Sequence, residues 1–346
     1  MVRFESDYLE GTHERILRRL VDSNLEQTCG YGEDPYCDLA RRRIREACRT
    51  SEAYVQFLVG GTQTNTVVIA ATLRPHQGVI AAQSGHINTH ESGAIEAAGH
   101  KVLAIPGVKG KLTAEAVKQT WVEHAQDSNR EHMVQPKMVY ISNPTEIGTI
   151  YSRQELETLS DVCRECGLLL YMDGARLGYG LTAKGNDLTL EDIARFCDVF
   201  YIGRTKVGAL FGEAVVITNE SLMSDFRYLI KQRGGMLAKG RLLGLQFDEL
   251  FVDGLYFELG SHGNQMAEIL RKAFLQHGCE FLVETKTNQL FPILEDWELE
   301  RLKEKYTFSF WERVDDSHSA VRFCTSWATR EEDIQKFTED LRHLRR

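Results

Sequence analysis

The stretches LLLYMDGARLGYG (168–180) and DVFYIGRTKVGALFGEAVVI (198–217) decide the fold predicted for this sequence. Each contains a short apolar run flanked by glycine, Leu168–Met172 in the first and Val199–Ile202 in the second. Runs of this length and composition are typical of buried β-strands rather than helices. Because Thr189–Phe196 between them has the pattern of a short helix, the segment predicts the strand, helix, strand order of an α/β protein.

A charged side chain follows each of these strands. Asp173 comes at the carboxyl end of the first strand, and Lys206 comes shortly after the second. Ligands of α/β proteins bind at the carboxyl ends of strands, so we expect both charges to point into one crevice. Pyridoxal phosphate (PLP) needs such a pair, because a lysine amine holds its aldehyde as a Schiff base and a carboxylate keeps its pyridine nitrogen protonated. The sequence therefore predicts a PLP site built on Asp173 and Lys206.

A glycine-rich segment, Gly60–Asn65, follows another predicted strand, Tyr54–Val59. Glycines let the backbone approach a ligand closely, and the free N–H groups at the start of a helix bind phosphate. An ordinary turn between a strand and a helix is the alternative. Beside the predicted acid and amine, we assign Gly61 and Thr62 to the phosphate of the cofactor, and we predict a helix from Thr66 onward.

Length and composition predict a folded protein of two domains. The chain has 346 residues, 42% of them hydrophobic, which is enough to bury a large core and a smaller one. We expect a large cofactor-binding domain with a mostly parallel sheet over residues 1–255. A smaller α+β domain is expected over residues 256–346.

Charge and cysteine usage argue against several classes of partner. The formal net charge of −9 disfavours a general surface for nucleic acid or anionic membranes. No stretch reaches the roughly 18 uncharged apolar residues of a membrane span. Arg3, Glu5 and Asp7 stand where an export signal would need an apolar run, so we expect a cytosolic protein with a small-molecule partner. The C-x-x-C at 163–166 lies inside a predicted helix, Arg153–Cys166, without the second pair of a zinc site, so we predict reduced thiols and no metal.

Five motifs occur in an order and spacing that match a known family. They are YGEDPY (31–36), GGTQTN (60–65), HINTHESGAIE (86–96), MDGARL (172–177) and TKVGALFGEA (205–214). On these motifs the sequence resembles the threonine aldolases, PLP enzymes of the β-eliminating lyase group with the aspartate aminotransferase fold, or fold type I. The resemblance implies a carbon–carbon lyase that cleaves L-threonine or L-allo-threonine, and related β-hydroxy-α-amino acids, into glycine and an aldehyde.

Other uses of the same cofactor stay as alternatives. PLP supports elimination of a β-substituent and transfer of an amino group as well as aldol cleavage, and the protein selects the bond that breaks. A β-eliminating lyase or an aminotransferase acting on another amino acid is therefore the alternative function. A PLP-binding regulatory protein is a third reading, and the intact pair of Asp173 and Lys206 argues against it.

The resemblance also implies roles for two histidines. In the family, the histidine of the third motif stacks on the pyridine ring, and His86 is the matching residue here. His90 follows four residues later and would share a face with His86 if His86–Ala98 is helical. We consider His86, His90 or a water molecule as the base that removes the hydroxyl proton of the substrate.

Three further residues are implied as ligands of the substrate carboxylate. Arg176 matches an arginine that reaches both the cofactor and the substrate in the family, and Arg322 matches the family's carboxylate arginine. Ser6 is a candidate because the family has a Ser-Asp pair near its amino terminus. Arginine suits this role, since its planar guanidinium binds a carboxylate through two parallel hydrogen bonds.

The sequence departs from the family at two places. The usual aldolases have a histidine where this chain has Thr145 and Glu146. Relatives often have an arginine that reaches a phosphate across the subunit boundary, whereas this chain has Leu237, with Lys239 and Arg241 close by. The identity of the base and of the interface contact is therefore left open. Because the family builds its sites between subunits, we expect a homodimer or a homotetramer.

Overall fold

The structure is a computed structural model that describes residues 1–344. The sequence also predicts an amphipathic helix over 330–346, and the last two residues of that helix, Arg345 and Arg346, lie outside the described residues. Strands and helices alternate along most of the chain, which confirms the predicted α/β class. The strands are β1 (Val2–Arg3), β2 (Tyr54–Leu58), β3 (Gln77–Ala82), β4 (Val102–Ile105), β5 (Gln135–Ser142), β6 (Leu169–Asp173), β7 (Val199–Gly203), β8 (Glu213–Ile217), β9 (Gln289–Leu290), β10 (Ile293–Glu295), β11 (Tyr306–Thr307), β12 (Ser309–Arg313) and β13 (His318–Cys324). The helices are α1 (Glu14–Asp22), α2 (Pro35–Ala47), α3 (Gly61–Thr72), α4 (His86–Thr89), α5 (Ala94–Ala97), α6 (Ala114–Gln126), α7 (Arg153–Cys166), α8 (Leu177–Leu181), α9 (Leu190–Phe196), α10 (Phe226–Gln232), α11 (Arg241–Leu250), α12 (Leu255–His277), α13 (Asp296–Lys303) and α14 (Glu331–His343).

Residues 1–344 contain one large sheet of seven strands, in the order β2, β8, β7, β6, β5, β3 and β4. The five strands β7, β6, β5, β3 and β4 run parallel to one another. The strand β8 is antiparallel to both of its neighbours, β7 and β2. Successive side chains of a strand point to opposite faces of a sheet. Leu170 and Met172 of β6 accordingly join one hydrophobic cluster, and Tyr171 joins the other. The sheet is therefore covered on both faces, as its continuous apolar strands require.

The helix α7 has the bounds predicted from the sequence because both of its ends are marked by local signals. Ser152 caps its amino end, and Glu155 closes a capping box with Ser152. Gly167, at its carboxyl end, has a φ of 64°, which glycine adopts without strain. The helix packs beside β6 and leaves the carboxyl end of that strand, where Asp173 lies, free to face a ligand.

The carboxyl-terminal part of the chain forms a smaller sheet in which β13 pairs with β9, β10 and β12. Its core is rich in phenylalanine and includes Phe274, Phe323 and Phe337. The amino-terminal segment joins this core, since β1 pairs with β11 and Phe4 lies in the same cluster. The helix α12 contributes Tyr256 to the core of the large sheet and Phe274 to the smaller core. The division of the chain at residues 255 and 256 stays a prediction.

The helix predicted from Thr66 onward is wrong at its start, because α3 begins at Gly61. Gly60 is still extended, and the chain turns directly from it into the helix. Thr64 and Asn65 are buried there, and their packing outweighs the weak helix propensity of the glycine and threonines. The first turn of the helix therefore holds Gly61 and Thr62.

The continuous helix considered for His86–Ala98 is also wrong. The chain forms two short helices, α4 and α5, separated by Ser92 and Gly93 with φ angles of 51° and 71°. These left-handed conformations break the helix between His90 and α5. None of the helices within residues 1–344 combines the length and the apolar character that crossing a bilayer would need.

Candidate active site

The residues predicted for the cofactor converge at the carboxyl-terminal edge of the large sheet. A cavity of about 280 Å³, the inner cavity, lies there beside the ends of β2, β5, β6 and β7. Its walls include Gly61, Thr62, His86, Glu146, Asp173, Arg176, Lys206 and Glu213. The predicted acid and the predicted amine thus face the same space, as expected for the ends of neighbouring parallel strands.

Asp173 is a buried carboxylate held by several hydrogen bonds. Its Oδ2 accepts from Tyr140 Oη at 2.6 Å and from Asn65 Nδ2 at 3.2 Å, and its Oδ1 accepts from Tyr201 Oη. Burial by itself would raise the pKa of Asp173, but the positive charge of His86 and the tyrosine hydroxyls outweigh it and hold the pKa below its usual value. Asp173 therefore stays ionised, which a partner of a protonated ring nitrogen must do.

Asn65 and Glu91 connect this acid to His86. Asn65 Nδ2 donates to Glu91 Oε1 at 2.6 Å, and the same oxygen lies 2.7 Å from His86 Nδ1. Tyr171 Oη donates to Asn65 Oδ1 at 2.7 Å and so fixes the orientation of the amide. Burial would lower the pKa of His86, but the carboxylates of Glu91 and Asp173 outweigh it, and the pKa is raised. His86 is therefore biased towards its protonated form.

Lys206 lies on the loop that follows β7. Its backbone carbonyl accepts a hydrogen bond from Tyr179 Oη at 2.6 Å, whereas its amine has no hydrogen bond or ion pair within residues 1–344. Burial and the neighbouring Arg176 lower the pKa of Lys206. A lysine with a lowered pKa has more of the neutral amine, which is the form that attacks an aldehyde.

The start of α3 forms another wall of the inner cavity. No side chain caps this helix at Gly60, so its first N–H groups lack an intrahelical partner. Gly61 and Thr62 line the cavity next to these groups. A Cβ atom at Gly61 would lie 3.2 Å from Tyr201 Oη, so glycine keeps this wall clear. Free N–H groups at a helix start are suited to a phosphate.

A second cavity of about 500 Å³, the outer cavity, adjoins the inner one. Arg322 lines it with Trp311, whose ring centroid is 5.8 Å from the guanidinium carbon. His90 also lines it, and its ring centroid is 5.7 Å from that of His86. Desolvation, together with the charges of His86 and Arg322, lowers the pKa of His90 and favours its neutral form. Both cavities share Tyr8, His86, Glu146, Arg176 and Lys206.

Arg176 forms a buried ion pair with Asp7, a partner that the sequence did not identify. Its Nε and Nη2 donate to the Asp7 carboxylate at 2.7 and 2.9 Å, and Asn288 Nδ2 donates to Asp7 at 2.8 Å. One edge of the guanidinium is therefore occupied by the protein, although Arg176 still lines both cavities. Ser6 is buried, and its Oγ has no hydrogen-bond partner among the described residues. The role of Ser6 as a carboxylate ligand stays a prediction.

Two further carboxylates at the site were not assigned a role from the sequence. Glu213, the first residue of β8, accepts a hydrogen bond from Thr205 Oγ1 at 2.9 Å, and burial raises its pKa to about 8. Glu146 lines both cavities. The position of Glu146 after a strand end was an available signal, since such loops commonly face ligands. Asp7 belongs to the Ser-Asp pair known from the family, but no local signal showed its partner Arg176, which lies 169 residues away.

These features meet the chemical requirements of PLP. One cavity is lined by an ionised acid, by an amine that has no hydrogen bond or ion pair in residues 1–344, and by an uncapped helix start. PLP presents a pyridine nitrogen, an aldehyde and a phosphate, and each of these features suits one of the three. The fold and the site together define the class of PLP-dependent enzymes of fold type I.

Comparisons with known proteins agree with this class. The beta-eliminating lyase family matches residues 4–307. The solved structure of a Thermus thermophilus aspartate aminotransferase mutant has a TM-score of 0.71 at 16% identity, covering 99% of this chain and 91% of that chain. A likeness at this identity shows the fold alone, and it confirms the predicted aspartate aminotransferase fold.

Two threonine aldolases are similar over nearly their whole length. The low specificity L-threonine aldolase of Pseudomonas sp. (strain NCIMB 10558) is 29% identical, with 98% of this chain and 97% of the relative covered. The solved structure of Leishmania major threonine aldolase is 47% identical with a TM-score of 0.97, and 99% of each chain is covered. The chain belongs to the beta-eliminating lyase family and, within it, to the threonine aldolases.

Proposed function

We propose that this protein cleaves L-threonine or L-allo-threonine, and related β-hydroxy-α-amino acids, into glycine and an aldehyde. The observation that carries the proposal is one cavity that unites Asp173 and Lys206 in a chain with full-length threonine aldolase relatives. The outer cavity, with Arg322 in its wall, provides space for an amino acid beside that site.

Four parts of the site would hold the cofactor. Lys206 would bind its aldehyde, Asp173 would face its ring nitrogen, and Gly61 and Thr62 would face its phosphate. When bound, PLP supplies an electron sink for the pair of electrons released from the substrate. His86 is held beside Asp173 by Glu91, in a position suited to contact the ring.

The arginines at the site would orient the substrate. Arg322 donates from Nη2 to the backbone carbonyl of Glu5 at 3.2 Å, and that contact holds the guanidinium at the wall of the outer cavity. Arg176 is held by its ion pair with Asp7. A carboxylate bound by Arg322, with Arg176 nearby, would fix the rotation about the Cα atom, and the bond that breaks is set by this orientation.

The alternative reactions are separated by their products. We expect glycine and acetaldehyde in equal amounts from L-threonine or L-allo-threonine, and no steady release of pyruvate or ammonia from serine or cysteine. Product analysis with all four threonine stereoisomers, and with serine and cysteine, tests this, with Lys206→Ala as the inactive control. Pyruvate and ammonia from serine or cysteine, or 2-oxobutanoate and ammonia from threonine, as the main products would instead favour a β-eliminating lyase. Exchange of amino groups with a keto acid would favour an aminotransferase.

The remaining expectations concern assembly and location. A homodimer or homotetramer with sites at the subunit boundary is supported by the family, in which the YGEDPY segment lies close to that boundary. Tyr31 of this segment is 46% exposed here. Arg241 donates to the carbonyls of Glu26 and Asn24, which leaves Lys239 as the better candidate for a contact across the boundary. A cytosolic location stays a prediction.

A further inference from the structure

Glu146 presents a free carboxylate oxygen to the active site. Its Oε1 accepts from the backbone N–H of His86 at 2.9 Å and from Ser142 Oγ at 2.6 Å. Its Oε2 accepts no hydrogen bond from another residue within 1–344. Glu146 lines both the inner and the outer cavity, so its side chain borders the space between the cofactor site and Arg322.

The neighbouring Thr145 does not offer the same function. Its Oγ1 lies 2.7 Å from Thr149 Oγ1 and accepts from the Thr149 backbone N–H at 3.2 Å. Its own backbone N–H donates to the Thr149 carbonyl at 2.8 Å. These bonds commit Thr145 to the turn after β5. Of the two residues that stand in the place of the usual histidine, Glu146 is therefore the one with a free polar atom.

The surroundings of Glu146 favour proton uptake at a higher pH than is usual for a carboxylate. Burial raises the pKa of this carboxyl, and the charge of Asp173 adds to the effect, while hydrogen bonds from Ser142 and from the backbone N–H groups of Glu146 and His86 oppose it only in part. A general base works best when its pKa lies closer to the working pH than that of an ordinary carboxylate. The titratable or charged groups that face Glu146 from the surrounding elements are His86, Tyr140, Tyr151, Asp173, Arg176 and Lys206.

We propose that Glu146 Oε2 accepts the proton of the β-hydroxyl group when the Cα–Cβ bond of the substrate breaks. The proposal rests on the proposed function. The O–H bond breaks and its proton moves to Oε2, while its electron pair forms the carbonyl of the aldehyde. The electron pair of the Cα–Cβ bond stays with Cα, where a proton then adds to give glycine. Atoms and electrons balance without an oxidant or a metal.

The two histidines are less suited to this step. His86 is biased towards its protonated form by Glu91 and Asp173, so it is a poor proton acceptor. His90 lines the outer cavity but is not among the residues described at the wall of the inner cavity. Glu146 combines contact with both cavities and an unbonded acceptor atom.

The test uses Glu146→Gln in the PLP-loaded enzyme. Glutamine can keep both hydrogen bonds at Oε1 but cannot take up the proton. We expect kcat for L-threonine cleavage to fall about 100-fold or more, with KM changed much less. Exchange of the Cα proton of glycine in D₂O, followed by NMR, requires no β-hydroxyl group and should stay within about threefold of the unmodified enzyme. Glu115→Gln, on the exposed face of α6, is the matched control for loss of a carboxylate.

Two further measurements separate a chemical role from a structural one. In the unmodified enzyme, kcat should fall as the pH is lowered, because Glu146 must lose its proton to act. This acid limb of the profile of kcat against pH should be absent in Glu146→Gln. Glu146→Asp, which keeps the carboxylate, should retain that limb. The proposal is overturned if Glu146→Gln cleaves threonine within about fivefold of the unmodified enzyme, or if glycine exchange falls as much as cleavage. Absence of cleavage by the unmodified enzyme, with glycine exchange intact, would instead overturn the proposed function.

Discussion

Replacing Asp7 by asparagine should destabilise the protein strongly. Asp7 is fully buried, and it accepts two hydrogen bonds from Arg176 and one from Asn288. Asparagine has nearly the same shape, but it leaves the Arg176 guanidinium, whose side chain is only 12% exposed, without its counter-charge. Removing one member of a buried ion pair costs about 3–5 kcal/mol. Because Arg176 borders a cavity that water can enter, we expect the low end of that range, about 3 kcal/mol.

The free energy of unfolding is measured by urea titration with PLP at the same saturating concentration for each variant, since a bound ligand adds its own stabilisation. Asp161→Asn is the control, because Asp161 pairs with Arg164 on the surface, where both side chains are more than 60% exposed. That substitution should cost no more than about 0.5 kcal/mol. The reasoning is refuted if the two substitutions have similar costs.

The cost of Asp7→Asn should also depend on pH. Burial would raise the pKa of Asp7, but Arg176 and Lys206 outweigh it, so the pKa in the folded protein lies below its ordinary value. A group with a lowered folded pKa stabilises the protein above its unfolded pKa, about 3.9 for aspartate, and this contribution is lost as the pH falls through the folded pKa. The difference in stability between the two forms should therefore be constant near neutral pH and shrink below about pH 4.

Two other substitutions test the fold and the substrate site. Gly174→Ala would place a Cβ atom 1.9 Å from the carbonyl oxygen of Tyr201. We therefore expect the free energy of unfolding, measured by urea titration, to fall by at least about 2 kcal/mol. A fall of less than about 0.5 kcal/mol would contradict the close approach of the chain after β6 to β7. Arg322→Lys loses the planar fork, so initial rates should show KM for L-threonine raised about tenfold or more, with kcat affected less. An unchanged KM would remove Arg322 from the substrate site.

The sequence predicted the parts of the site that are encoded locally. Asp173 and Lys206 each follow a short apolar run, and the rule that ligands bind at strand ends placed them together. The ends of α7 carry their own signals in Ser152 and Gly167, so its bounds were correct. Patterns of this kind depend on neighbours within a few residues along the chain.

The features that the sequence did not give depend on distant partners. Asp7 acquires its role from Arg176 and from Asn288, which lies 281 residues away along the chain. Gly61 begins a helix because the buried side chains of its first turns pack against the sheet, and local propensity favours a later start. The free oxygen of Glu146 follows from two hydrogen bonds that fix only its other oxygen.

The central claim is that Lys206 binds the cofactor covalently, and reduction followed by peptide mass spectrometry tests it most directly. Borohydride treatment of the PLP-loaded enzyme converts a lysine adduct into a stable secondary amine. We predict a pyridoxyl group on the peptide that contains Lys206, on one site per chain. The account would be contradicted by a pyridoxyl group on a different lysine. It would also be contradicted if an enzyme that is fully active before reduction shows no modification at Lys206 afterwards.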